Sequence, residues 1–371
     1  MKLVKAGESH GKQMVGILAN VPAGITVEKK FLNNLLKERS IALGRSERQT
    51  FERDKIDLLT GVRGGVTIGN NVAFAVKNAA YDKNIMGNFE CDEEAGLMLN
   101  LRPGHADFGG LERTGFCDAR SVAEGASARS TCIDALAGGI AIQMLKMLEI
   151  EVVAFVRSFG DILDEKNYSF NELTAIKAPA FTLNKNFALK CKQKINEAKL
   201  QGNSLGGTVE IWVKAIKPGF GSYVAEKRVN SVIAQLIMQL QAVKGLYFGE
   251  NPFAFNGGGV EYVGSLSLSK SGKIIPQNSL AGGINGGMTD GDVIKITVAV
   301  KPIPTTQAGV KSVNYKTGDS CISEKVRSDT TAVFALCPVI KGTVALALSE
   351  CICERLGCDN MQAIIKRYEN L

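Results

Sequence analysis

The stretch from Thr208 to Ile216 alternates strictly, with Val209, Ile211 and Val213 set against Glu210, Trp212 and Lys214. A period of two puts each set on its own face, so this strand is expected to bury one face and wet the other. Val293 to Val300 repeats the pattern, with Ile294, Ile296, Val298 and Val300 on one face. Half-wet strands belong to antiparallel sheets, because parallel strands are covered on both sides. Elsewhere the period changes to that of a helix. Thr26 is expected to cap a helix whose apolar face is Val27, Phe31, Leu32, Leu35 and Leu36. One long helix is expected from Ser121 to Leu148, burying Ile133, Leu136, Ile140, Met144 and Leu148, followed by a strand over Glu151 to Val156. Val229, Val232, Ile233, Leu236, Ile237 and Leu240 form another helical stripe, and a last helix should run from Thr331 to Leu356 and stop at Gly357. Such a mixture predicts an α+β layered fold. No G-x-G-x-x-G follows a strand and no P-loop occurs, which argues against a doubly wound nucleotide fold.

The chain has 371 residues, 45% of them hydrophobic, enough for a large core. No Pro-rich or low-complexity linker divides it, so a single domain over 1–371 is expected. The most apolar run, Val333 to Leu348, is interrupted by Pro338 and Lys341, and no membrane span is expected. The start, MKLVKAGESHG, lacks an apolar core ahead of a cleavage site, which leads to the expectation of a cytoplasmic protein. Nine cysteines are scattered without a C-x-x-C pair, and only two histidines exist. No disulfide framework and no metal site is expected, and the cysteines are read as small buried apolar residues.

The two histidines lie in segments crowded with glycine and charge: His10 in GESHG at 7–11, His105 in RPGHAD at 102–107. Histidine titrates nearest neutrality, so each is a candidate proton donor; a hydrogen-bonded loop histidine is the plainer alternative. A Ser9–His10–Asp107 hydrolase is disfavoured, because adjacent Ser and His cannot generally pair and no G-x-S-x-G elbow is present. The net charge of +7 suits an anionic partner. Arg39, Arg45, Arg48 and Arg53 crowd one stretch and Arg102, Arg113, Arg120 and Arg129 another. Arginines converging on one cleft would grip phosphate and carboxylate groups. Clustered arginines also suit a nucleic-acid binder, but aromatic residues are few and no recognised binding motif appears. Four glycines in AGGINGGM and the fixed turn of KPIPT (301–305) are candidate ligand-contacting backbone; a tight hairpin and a strand-ending turn explain them equally well.

Taken in order, GESHG, GRSER at 44–48, RPGHAD, ASAR at 126–129, AGGINGGM through KPIPT at 281–305 and Arg327-Ser328-Asp329 resemble the chorismate synthase family across nearly the whole chain. The resemblance implies a β-α-β sandwich of antiparallel sheets enclosing helices, assembled as a homotetramer. It implies a 1,4-anti elimination of phosphate from 5-enolpyruvylshikimate-3-phosphate, giving chorismate, with reduced FMN required and no net redox. His10 would then protonate the departing phosphate, and His105 would protonate or electrostatically hold the reduced flavin. Asp329 would work with flavin N5 to remove the ring proton. Ser9, Arg39, Arg45, Arg48, Arg102 and Arg129 would bind the substrate. Gly125, Ala126, Ser127, Gln241, Ala242, Gly286, Lys301, Pro302, Ile303, Pro304, Thr305 and Arg327 correspond to flavin-binding positions. The chain departs from the family pattern at Gly125 (usually Arg), Ser130 (usually Glu), Gln241 (usually Asn) and Thr330 (usually Pro). With no nicotinamide-binding fold in the sequence, an external flavin reductant is expected. A flavin-binding relative with a changed substrate is the alternative enzyme.

Overall fold

A computed structural model describes residues 1–46, 54–86, 97–249, 256–270, 272, 274–277, 279–324 and 328–371. Arg48, Arg53, Cys91 and Arg327 lie outside them. The first sheet contains β1 (Lys2–Ala6), β2 (Gln13–Ala19), β3 (Ile56–Thr60) and β4 (Val72–Lys77) in the order β1-β2-β4-β3. The second contains β5 (Glu151–Phe159), β6 (Ile162–Leu163), β7 (Gly207–Lys214), β8 (Val243–Phe248) and β9 (Ile294–Val300) in the order β8-β9-β7-β5-β6. Every pairing in both is antiparallel, as the alternating segments require.

Helices pack against both sheets. The main ones are α1 (Lys29–Ser40), α2 (Asp107–Thr114), α3 (Ala119–Gly125), α4 (Thr131–Lys146), α5 (Lys185–Leu200), α6 (Val229–Met238), α7 (Val333–Leu356) and α8 (Met361–Glu369). Helix α4 packs on the first sheet, α7 packs on the second, and the two helices pack on each other. They touch backbone to backbone: a Cβ at Gly138 of α4 would lie 2.3 Å from Gly342 Cα of α7. Only a residue without a side chain fits there. Helix α7 is long and apolar enough to cross a membrane, but 89% of its most apolar window is buried inside the protein. It reads as a core helix.

Three expectations need correction. The long helix foreseen from Ser121 to Leu148 is broken. Helix α3 ends at Gly125, Ser127 is extended (φ −64°, ψ 141°), and a 3₁₀ turn over Ala128–Ser130 leads into α4. Ser127 Oγ accepts from the Arg129 N–H at 3.2 Å, and this local bond competes with helix continuation. Thr26 does not cap α1. The cap is Glu28, whose N–H is taken by Gln143 Oε1 at 2.6 Å, a partner from across the core. The wet face of β7 is only partly wet. Glu210 is buried, with Arg157 Nε and Trp212 Nε1 each donating to its carboxylate at 2.5 Å. Among the described cysteines, Cys132, Cys191, Cys337, Cys351 and Cys353 are buried as expected, whereas Cys117 is exposed.

Candidate active site

Loops at the ends of β1, α1, β4, α3, β9 and the start of α7 meet at one cavity of about 620 Å³. Its wall includes Ser9, His10, Arg39, Arg45, Arg102, His105, Ala126, Ser127, Arg129, Gln241, Ala242, Lys301, Ile303, Pro304, Thr305 and Asp329. Residues from Ser9 to Asp329 along the chain are thus brought together. Gly125, Pro302 and Gly286 are not on that wall. Gly286 (φ +59°) sits in the turn between Ile284–Asn285 and Met288–Thr289, so the glycine-rich segment forms the tight hairpin that sequence left open.

Each histidine is held by a carboxylate through Nδ1. His10 lies on the β1–β2 loop, with Nδ1 2.9 Å from Glu124 Oε1, and its backbone N–H donates to Glu124 Oε2 at 2.8 Å. His105 follows the left-handed Gly104 (φ +75°), and its Nδ1 is 2.7 Å from Asp107 Oδ1. Arg102 grips the same Asp107 with two bonds, Nε to Oδ2 at 2.8 Å and Nη2 to Oδ1 at 2.7 Å. A carboxylate only accepts, so Nδ1 of His10 carries the proton and its Nε2 is left for a ligand. His105 Nδ1 instead faces both the accepting Asp107 and the donating Arg102 Nη2, 3.0 Å away. Burial alone would raise both carboxyls. For Asp107, hydrogen bonds from Arg102 and His105 and their charges outweigh burial and hold it well below the usual carboxylate range. For Glu124 the hydrogen bonds and charge of His10 do the same to a lesser degree.

The arginines are built in pairs with acids. Arg129, at the break between α3 and α4, donates Nη1 and Nη2 to the two oxygens of Asp54 at 2.6 and 2.8 Å. Arg39, at the end of α1, points Nε at Thr131 Oγ1 (3.0 Å) and Nη2 at the Ala128 carbonyl (3.1 Å), and its Nη1 lies 3.8 Å from Asp54. Arg39 Nη1 is buried without a hydrogen-bond partner among the described residues. Arg45 donates to Asp329, whose other oxygen accepts from the Ser46 N–H at 2.7 Å. Two predicted site residues thus hold each other, and a ligand reaching either competes with the other. Lys301 Nζ donates to the Gly104 carbonyl at 2.7 Å, tying the KPIPT segment to the His105 loop. Burial, and next the Lys244 charge, push the Lys301 ammonium below its usual range, so a nearby anion would be favourable.

Two departures from the family pattern touch each other. Gln241 Nε2 donates to Ser130 Oγ at 3.1 Å, the longer amide reaching the shorter hydroxyl, and Gln241 Oε1 stays buried without a hydrogen-bond partner among the described residues. A third has a use: the Thr330 N–H, which proline would lack, donates to the Gly44 carbonyl at 2.9 Å and fixes the segment carrying Arg45 beside Asp329. Sequence reasoning missed Glu124 and Asp54. Their partners, His10 for Glu124 and Arg39 and Arg129 for Asp54, lie in other segments of the chain, so nothing local separates these acids from surface charge. Among the described residues no group of acids, histidines and cysteines could hold a metal ion.

Residues 1–353 match the chorismate synthase family. The chain is 34% identical over 379 residues to a chorismate synthase of Bifidobacterium longum subsp. infantis, covering 98% of this chain and 96% of the relative. It is equally 34% identical over 388 residues to one of Chloroherpeton thalassium, covering 100% and 98%. A crystal structure of chorismate synthase superposes with a TM-score of 0.79 at 27% identity, covering 100% of this chain and 96% of that one. An antiparallel sandwich with helices inside, similarity along the full length and the site motifs in order place the chain in the chorismate synthase family.

Proposed function

We propose that the protein eliminates phosphate from 5-enolpyruvylshikimate-3-phosphate to form chorismate, with reduced FMN bound in the same cavity. The observation that supports this most is the convergence of both histidines with Arg39, Arg45, Arg102, Arg129, Lys301 and Asp329 on one hollow. Buried polar groups in proteins are rarely left unpaired. Among the described residues, Arg39 Nη1, whose nearest acid Asp54 is 3.8 Å away, and Gln241 Oε1 make no hydrogen bond, and both belong to wall residues. That fits an anionic substrate lying against a heterocycle that carries N–H groups.

Arg39, Arg45 and Arg129 bind the phosphate and carboxylates of the substrate, with Arg102 holding His105 beside them. Ser127, Gln241, Ala242 and the Lys301 to Thr305 segment would hold the flavin. When bound, reduced FMN supplies electron density that offsets charge deficiency as the ring C–O bond breaks. His10 gives a proton to the leaving phosphate oxygen, and Asp329 receives the one lost from the ring, so protons balance. Bound ligands displace water from this cationic hollow, which strengthens each of these electrostatic contributions. Arg39, Arg102 and Arg129 are buried and ion-paired or hydrogen-bonded toward the interior, an arrangement that gives a nucleic-acid backbone little to hold.

Purified protein mixed anaerobically with chemically reduced FMN and the substrate should release phosphate and form chorismate. Absence of both products under strict anaerobiosis overturns the reading. The reductant comes from outside the protein; flavin-linked NADPH oxidation by the pure enzyme would contradict that.

A further inference from the structure

Glu124 grips the His10 loop at three points. The Ser9 N–H donates to its carbonyl at 3.2 Å, the His10 N–H to Oε2 at 2.8 Å, and the His10 ring meets Oε1 through Nδ1 at 2.9 Å. Glu124 is only 5% exposed, at the end of α3, where the chain breaks before entering α4. Both of its oxygens are occupied by groups of one residue, 114 positions away. An ionised carboxylate cannot donate, so the proton on neutral His10 must sit on Nδ1. An imidazole left to itself favours Nε2–H.

We propose that Glu124 is a positioning residue that fixes the tautomer of His10, so that Nε2 is the nitrogen that delivers a proton to the departing phosphate. This rests on the elimination chemistry proposed above. The donor is the imidazolium, protonated on both nitrogens with solvent as the proton source. Once Nε2 gives up its proton, the ring is left as the neutral Nδ1–H form, the one Glu124 already holds. No reorientation is needed during turnover. The plainer possibility is that Glu124 only pins the loop through the backbone N–H, with no say in the ring.

Glu124→Gln separates these. The amide has one accepting oxygen and one donating nitrogen. If its oxygen keeps the His10 backbone N–H, its NH₂ faces Nδ1 and demands an acceptor there, which sends the ring proton to Nε2. The chain has only two histidines, so ¹⁵N spectra of imidazole-labelled protein are simple, and a His105→Gln variant assigns them. The expected result is an Nδ1–H ring for His10 in the wild type and an Nε2–H ring in Glu124→Gln. Turnover should fall about 10²–10⁴-fold, with KM moving by less than about 3-fold because ground-state binding is untouched. Glu124→Asp should keep the wild-type tautomer and restore part of the rate. An Nε2–H ring in the wild type, or lost turnover in Glu124→Gln with the tautomer unchanged, overturns the proposal. The tautomer is read without substrate. A wild type that holds Nδ1–H yet releases no phosphate anaerobically therefore sinks the reaction assignment and leaves the ring assignment standing.

Discussion

The two histidine–carboxylate pairs differ in how the chain builds them. His105 and Asp107 are two residues apart, and Arg102 five residues before Asp107 completes a local knot in which Asp107 is fully buried. His10 and Glu124 are 114 residues apart, brought together by the first sheet and the α3–α4 break. The local knot has its geometry set by one turn and one helix start. The remote pair depends on the tertiary fold being in place. Similar geometry at the ring thus rests on different foundations, and the two should fail differently.

The largest effect should come from removing the rings themselves. His10→Ala and His105→Ala are each expected to cut the anaerobic phosphate-release rate by about 10²–10⁴-fold. If one is near neutral, the matching pair is structural and the comparison collapses to a single catalytic histidine. Next in size is the loss of the carboxylates. Asp107→Ala strands a buried guanidinium and should cost about 3–5 kcal/mol in urea unfolding. Glu124→Ala leaves the His10 ring, whose side chain is 22% exposed, and the His10 backbone N–H seeking partners, a loss of about 1–3 kcal/mol. Equal losses would mean that the Arg102 bond adds nothing to the local knot.

Acid should separate the pairs as well. Both carboxyls have folded pKa values below their unfolded ones, so both stabilise fully above about pH 4–5, near the unfolded carboxylate values. That stabilisation is lost as pH falls through the folded values. Asp107 has the more strongly lowered carboxyl, so the Glu124 clamp should open first and the Arg102–Asp107 knot last. Imidazole signals followed from pH 5 downward would show His10 released before His105; the reverse order would show that burial, not donor count, sets the ranking.

This difference explains what could be read in advance. The alternation in β7 and β9 and the long apolar stripe of α7 reflect one-dimensional periods, and the sheets and core helix follow from them. RPGHAD announced itself because its parts are sequence neighbours. Nothing local distinguishes Glu124 in an alanine-rich helix, or Asp54 among other charges, because their roles exist only once remote segments meet. The same reason hid the break at Ser127. The apolar stripe that suggested the helix begins only at Ile133, and the decisive bond is a serine oxygen taking a backbone N–H two residues on. Glu28 is similar: its N–H is satisfied by Gln143, not by a side chain in its own turn.

The smallest expected effect tests a remote contact against a local preference. Thr330 stands where the family usually has proline, and its N–H donates to the Gly44 carbonyl at 2.9 Å, next to the Arg45–Asp329 pair. Thr330→Pro deletes that donor and also restricts Asp329 toward extended backbone. One lost hydrogen bond is worth about 0.5–1.5 kcal/mol, and partial relief from the stiffer chain brings the expected stability change to about 1 kcal/mol or less. The effect on substrate should be more visible, because Arg45 and Asp329 both belong to the cavity wall. KM should rise about 2- to 5-fold while the rate at saturation holds, the signature of lost uniform binding. A variant with unchanged KM would show that the Arg45–Asp329 bond and the Ser46 N–H suffice to hold Asp329. The Gly44 tether would then be a by-product of the chain's path, and this remote contact would be less fragile than the one between His10 and Glu124.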